Sequence, residues 1–480
     1  MTALAAGVAA GHPATAAAGL RILQQGGSAA DAAVAATFAS CVAETVMTGL
    51  GGGGHAIHWN ATRREAHLID FFVNVPGLGG QGRTTGERHP VNVAFGSQII
   101  PYDIGMGTVG VPGVAQACGE LHDRWGRLEW EALLVPAREL ARDGVPMPPR
   151  HALTMKMIIE TLARDLGTRI YAPGGVPLET GDLLHQPGLV TAFDLLASEG
   201  PQTFRKGTIA ERMLEMSAER GGLLTRHDLQ DYDVRVTPAS RGVAFGPHRV
   251  TARRDLAGFL NAIERLPHAD ATTPRRWAPA FADVFSGRAT VSGSEPGGGD
   301  LEDRMGDTTN LVTADPQGNA CVVTSSLGLG SGHYVPGLDI HLNSMLGETE
   351  LLTTQSRPGT RMQSMMVPSL AIDDRGGLAA AAGAAGGSRI RTALAHVLAA
   401  TLLNGDDPTV AARSPRLHPV GRIAHTEPGY PEAGIAGLAD AGYEVHQWPQ
   451  VHHFFGGASL LTPAGGGGDP RRDGIALRLE

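Results

Sequence analysis

Residues 29–46, AADAAVAATFASCVAETV, are apolar nearly all the way round a helical wheel. A helix with no polar face has nothing to offer water and is stable only when buried, so this segment demands cover on every side. Ser28 with Asp31 three residues on resembles a capping box in which an aspartate replaces the usual glutamate. Before it, Pro13 suits a first helical turn, Leu20, Ile22 and Leu23 follow, and Gly26-Gly27 stop the run. The chain can supply the cover: it has 480 residues, 42% hydrophobic and 18% charged. One large domain and two lobes are both compatible with that length.

After the apolar helix come six residues, Gly49 to Gly54, of which only Leu50 is not glycine, and then HAIHWN, which alternates like a strand. Gly49, Gly51 and Gly54 also fit GxGxxG, with Asp70 downstream where a ribose contact would fall. A dinucleotide fingerprint needs a strand before the glycines and a helix after them; this order is reversed. Residues 107 to 245 read as mixed helical, with WGRLEWEALLVPARELARDG and GLVTAFDLLASEG at helical spacing and GGLLTRHDLQDYDV as a helix-to-strand junction. Residues 250–306 are rich in Gly, Pro, Ser and charge and read as a linker or surface loop. TTNLVTADPQGNACVVTSSLG then predicts two strands joined by a turn at Asp315 to Asn319.

A threonine at the head of that hairpin has a chemical use. Cleavage of the Asp307-Thr308 bond would free an α-amine with a pKa near 8, able to act as general base for the hydroxyl of the same residue. The other reading of Asp307-Thr308-Thr309 is the start of a strand and nothing more. An oxyanion hole is the second requirement, and Gly386-Gly387-Ser388-Arg389 could present adjacent backbone N–H groups. A Gly-Gly turn before a helix is equally compatible.

Taken together, these segments resemble the gamma-glutamyltransferase family. TTNLVTADPQGNACVVTSSLG, LDIHLNSM, SRPGTRM and GAAGGSRI are similar to its small subunit, in order and approximate spacing; AAGHPATAAAGLRILQQGGSAADAAVAATFA, TGLGGGG, GTVGVPGV and GGLLTRHDLQDY are similar to its large subunit. The resemblance implies an α+β fold, the four-layered αββα sandwich of N-terminal nucleophile hydrolases. It implies a large fragment 1–307 and a small fragment 308–480, intertwined in one body, as a heterodimer of the chain's own pieces with a higher homo-oligomer also open. By resemblance, Thr308 is the nucleophile created by cleavage after Asp307, Ser326 holds its amine and hydroxyl, and Gly386 and Gly387 are the oxyanion glycines. Glu348 lies near the acid that grips a glutamyl α-amine. No organic cofactor and no catalytic metal is implied.

The pocket departs from the family pattern. Phe72 stands where an arginine would bind the substrate's α-carboxylate, and a phenyl ring cannot replace a bidentate clamp. Asn310 replaces a histidine, Gly328 an asparagine, and Thr360-Arg361 a serine pair; Arg361 is the candidate for a cation arriving from a new direction. The expected activity is hydrolysis of an amide, γ-glutamyl or related acyl, through an acyl-enzyme, with water favoured over an amino-acid acceptor. The alternatives are a recruited member acting on a non-glutamyl substrate, such as a C–C bond in secondary metabolism, and a non-catalytic scaffold.

Other classes find little support. The net charge of −9 comes without a long basic run, against nucleic acid as partner. Cys41, Cys118 and Cys321 are too scattered for a disulfide framework or metal knuckle. His55 and His58 alternate on a strand, and His452 and His453 sit beside Phe454-Phe455 without nearby carboxylates or thiols, so both pairs read as satisfied structural histidines. No 18-residue apolar stretch suggests a membrane span, and His12 and Pro13 interrupt any signal peptide, so the expected location is cytoplasmic.

Overall fold

The computed structural model describes residues 3–80, 86–95, 98–254, 257–286, 308–348, 351–353 and 355–480. Among them, seven strands form one antiparallel sheet in the order Ile475–Arg478, Gly7–Ala10, Thr309–Ala314, Ala320–Ser326, Gly53–Asn60, Glu65–Phe71 and Arg235–Pro238. Six more form a second, in the order Gly465–Gly468, Gly457–Thr462, Leu378–Ala385, Ser369–Ile372, His248–Thr251 and Val243–Phe245.

Strand alternation sorts the side chains into layers. Leu311, Cys321 and Val323 point to one face of the first sheet and pack with Val34, Phe38 and Val42 of the alanine-rich helix. Their neighbours Val312, Ala320 and Val322 point to the other face and meet Leu370, Ala381 and Leu461 of the second sheet. The far side of that sheet sets Ala380, Ala382 and Ala384 against Ala393, Leu394 and Val397 of the helix Ile390–Leu402. The result is helix, sheet, sheet, helix: the four-layered sandwich.

The alanine-rich helix runs Ala29–Ala43 and every residue of it is buried, as its composition requires. Ser28 Oγ accepts from Asp31 N at 3.0 Å while Asp31 Oδ2 accepts from Ser28 N at 2.8 Å, completing the capping box. The hairpin forms with its turn at the expected place, Ala314 facing Ala320. Residues on both sides of position 307 share the first sheet, since Gly7–Ala10 lies between Thr309–Ala314 and Ile475–Arg478. The two segments are intertwined.

The linker reading of residues 250–306 is corrected. Helices Ala257–Arg265 and Pro274–Ser286 occupy part of it. Trp277, Phe281 and Phe285, four residues apart, are buried in the cluster beneath the second sheet. Pro279 and Asp283 between these aromatics, with the charges before Trp277, hide the helical stripe from a reading by composition. Residues 287–307, with the expected cleavage position Asp307, lie outside the described residues.

Candidate active site

The hairpin register pairs Thr309 with Ser325 and so brings Thr308, at the head of its strand, beside Ser326. On the other side Ser326 pairs with Gly53. A Cβ at Gly52 would fall 2.3 Å from the Ser326 carbonyl oxygen, so this glycine allows a close backbone approach to the site. That packing is the use of the glycine loop, which follows a helix and precedes a strand as the sequence order requires.

Thr308, Ser326, Glu348, Gly387 and Phe72 line one pocket together with Met345, Leu351, Met366 and Ile390. Thr308 is buried, and Ser326 Oγ accepts from Gly328 N at 2.9 Å. Gly328 adopts φ +65°, and a Cβ there would lie 2.7 Å from Glu348 Oε1, which leaves the floor beside the acid without a side chain. Gly386 and Gly387, at φ +124° and +58°, turn the chain from the strand Leu378–Ala385 into a tight turn and the helix Ile390–Leu402. Two successive residues at positive φ favour glycine and set Gly387 at the pocket wall.

Other expected site residues lie elsewhere. Thr360 Oγ1 donates to Arg357 O at 2.7 Å in a turn, outside the pocket. The Arg361 guanidinium pairs with Asp70 at 3.3 Å, donates to the carbonyl oxygens of Phe72 and Asp233, and lies 4.7 Å from the centre of the Tyr232 ring. It braces the segment behind Phe72 and does not line the pocket, so its expected role as a substitute anchor is set aside. Asn310 also points away: its Nδ2 donates to Gly457 O at 3.1 Å and ties the two sheets together.

His55 and His58 are packing rings. His58 stacks on Trp125 at 4.1 Å and His55 on Phe72 at 5.8 Å, and among the described residues neither ring nitrogen of His55 has a hydrogen-bond partner, whereas His452 Nδ1 accepts from Phe454 N at 3.1 Å. Burial lowers His58 to about 3 and holds His55 well below the usual histidine range.

Beneath Thr308 lie two residues that sequence reasoning missed. Arg472 Nη1 donates to the Thr308 carbonyl at 3.1 Å. Glu44 accepts hydrogen bonds from Thr15, at 2.6 Å, and from Thr309. Burial raises its carboxyl to about 7, against the hydrogen bonds from the two threonines and the charge of Arg472. A glutamate at the end of an otherwise apolar helix was the available signal. Arg472 gave none, because its place depends on the buried ion pairs of Arg416 and Arg471 with Asp469, and of Arg471 with Glu427, which anchor the C-terminal segment.

A four-layered αββα sandwich with a hydroxyl residue heading a central strand, beside a glycine turn, is the arrangement of the N-terminal nucleophile hydrolase fold. The family model described as gamma-glutamyltranspeptidase matches residues 15–252 and 262–479. The chain belongs to that family, and it is an enzyme of the hydrolase or transferase type. It is 25% identical to the glutathione hydrolase proenzyme of Bacillus subtilis, over 92% of this chain and 85% of that protein. It is 27% identical to an acylase proenzyme, ACY 1, of a Pseudomonas species, over 92% of this chain and 87% of that protein. The crystal structure of cephalosporin acylase from Bacillus halodurans superposes with a TM-score of 0.80 at 23% identity, covering 100% of this chain and 97% of the other, a likeness of fold. Among the described residues, no helix is long and apolar enough to cross a membrane.

Proposed function

We propose that the chain cuts itself between Asp307 and Thr308 and then acts as an N-terminal threonine amidohydrolase. The observation that supports this reading is the convergence of Thr308, Ser326, Gly387 and Glu348 on one pocket at the end of a buried strand. The freed α-amine takes the proton from Thr308 Oγ as that oxygen attacks the amide carbon. The backbone N–H groups of Gly386 and Gly387 stabilise the oxyanion, a contribution worth about a hundredfold or more in rate per donor. The C–N bond breaks, the leaving amine departs with the proton, and the acyl group stays as an ester on Thr308. Water then attacks the ester, giving a proton to the α-amine; the bond from the acyl carbon to Thr308 Oγ breaks, the amine returns the proton to Oγ, and the acid leaves. Ser326 orients the nucleophile, and the two fragments remain one body because they share a sheet.

Intact mass and N-terminal sequencing of the wild type beside Thr308→Ala test this. A wild-type fragment beginning Thr-Thr-Asn-Leu-Val, absent from the variant, is expected. A chain that stays whole in both would leave the fold as a scaffold.

A further inference from the structure

Phe72 lines the pocket of Thr308, and His55, stacked on it at 5.8 Å, lines a different cleft of about 880 Å³, part of it open to solvent. This second cleft spans the edges of the two sheets. Arg235 and Thr237 belong to the edge strand of the first sheet, Ser240 to the segment that crosses over, and Arg253 and Arg254 follow the strand His248–Thr251 of the second. Asp70 is the carboxylate among the described lining residues, and it is engaged: its Oδ2 stands 3.3 Å from Arg361 Nε and its Oδ1 accepts from Phe72 N at 3.0 Å. Three arginines thus line one cleft on a chain whose net charge is −9. Cations concentrated in a cleft raise the local concentration of anions.

The partners of these groups leave room for a ligand. Arg254 is exposed and makes no hydrogen bond or ion pair among the described residues. Arg235 Nε lies 3.8 Å from Asp233 Oδ2, with side chains 49% and 63% exposed, a contact that solvent screens. Arg253 forms the buried end of the cleft, its Nη1 donating to Met366 O at 3.1 Å. His55 is also buried, with Nδ1 3.5 Å from Asp70 Oδ1 and neither ring nitrogen hydrogen-bonded among the described residues. Buried polar atoms are nearly always satisfied, so an unpaired imidazole at the wall of an arginine-lined cleft calls for an occupant. Burial, together with the charges of Arg253 and Arg361, keeps that ring neutral, so it brings one N–H and no charge. One planar guanidinium fork satisfies a carboxylate. Arginines, two hydroxyls and an imidazole drawn from separate strands suit an anion whose oxygens point in several directions. We infer that this cleft binds a phosphoryl group, carried by a small organic phosphate or as free phosphate.

Isothermal titration calorimetry on the full chain reads the binding directly, whether or not the Asp307-Thr308 bond is cut. Inorganic phosphate, glycerol phosphate and acetate are titrated at one ionic strength held with chloride, so that screening is common to all three. Saturable binding of a phosphate is expected, with acetate weaker by about tenfold or more. Tighter binding of glycerol phosphate assigns an organic phosphate; equal or tighter binding of inorganic phosphate assigns the free anion. Arg235→Gln and Arg254→Gln are each expected to weaken the binding by about tenfold, while Arg276→Gln, which removes an exposed arginine from the helix Pro274–Ser286, leaves it unchanged. His55→Phe keeps a ring against Phe72, removes both nitrogens and is expected to cost about threefold or more. Melting temperatures measured without anion check that the variants are folded, and the two exposed arginines carry the decision. Absence of saturable phosphate binding, acetate that binds as tightly, or an affinity indifferent to Arg235 and Arg254 overturns the inference.

Discussion

The Glu44 carboxylate, at the C-terminal end of the buried alanine-rich helix, accepts a hydrogen bond from the hydroxyl of Thr309, the residue that follows Thr308. Gly11 is shaped by the same contact: a Cβ there would lie 2.7 Å from Glu44 Oε2 and 3.0 Å from Thr309 Oγ1. An acid from the first helical layer thus sets the strand that carries Thr308, while Arg472 holds the Thr308 carbonyl from the C-terminal segment.

Glu44 makes stability depend on pH in a defined direction. Its carboxyl is raised from 4.5 to about 7 by burial, so the folded protein binds the proton more tightly than the unfolded chain. The stabilising contribution is fully present below about pH 4.5 and is lost as the pH rises through about 7. Glu44→Gln keeps a hydrogen-bonding group between the two threonines and does not titrate. Denaturant unfolding at pH 5 and pH 8 is expected to show the wild type losing on the order of 2–3 kcal/mol more than the variant. Equal losses would count against a carboxyl that titrates near neutrality.

Arg472→Gln removes the charged donor from the Thr308 carbonyl. The expected result is slower appearance of the small fragment and a kcat lower by about 10- to 100-fold, because a small displacement of a nucleophile is costly. Arg472→Lys, which can still reach with a cation, is expected to recover part of the loss. Electrophoresis over time and steady-state kinetics measure both. An unaltered processing rate in Arg472→Gln would mean that the hairpin alone positions Thr308.

Arg361→Ala separates a brace from a substrate ligand. The guanidinium is only 7% exposed, but its partners Asp70 and Asp233 are 28% and 63% exposed, so solvent screens the pair. A loss of about 1–3 kcal/mol in unfolding free energy is expected, with the KM of the processed enzyme little changed. A raised KM at undiminished stability would return the guanidinium to the pocket.

The capping box at Ser28 and Asp31, the buried alanine helix and the Thr309–Ser326 hairpin were legible because each rests on information held within about twenty residues. The glycine turn at 386–387 was legible for the same reason. The aromatic stripe of Trp277, Phe281 and Phe285 was not, since Pro279 and the surrounding charges mask its period. The partners of Arg361 were not legible, because an arginine in a sequence gives no sign of the aspartates that it will meet.

By itself the sequence determined the layered α+β class, the family and a threonine at the head of a buried strand, through periodicity, capping and motif order. Tertiary structure alone decided what surrounds that threonine. Thr309 and Glu44 are 265 residues apart in the chain, and Arg472 lies 164 residues beyond Thr308. No local pattern encodes such contacts. They arise when two sheets and their helices pack, fixing which side chains lose water together and which charges find a partner.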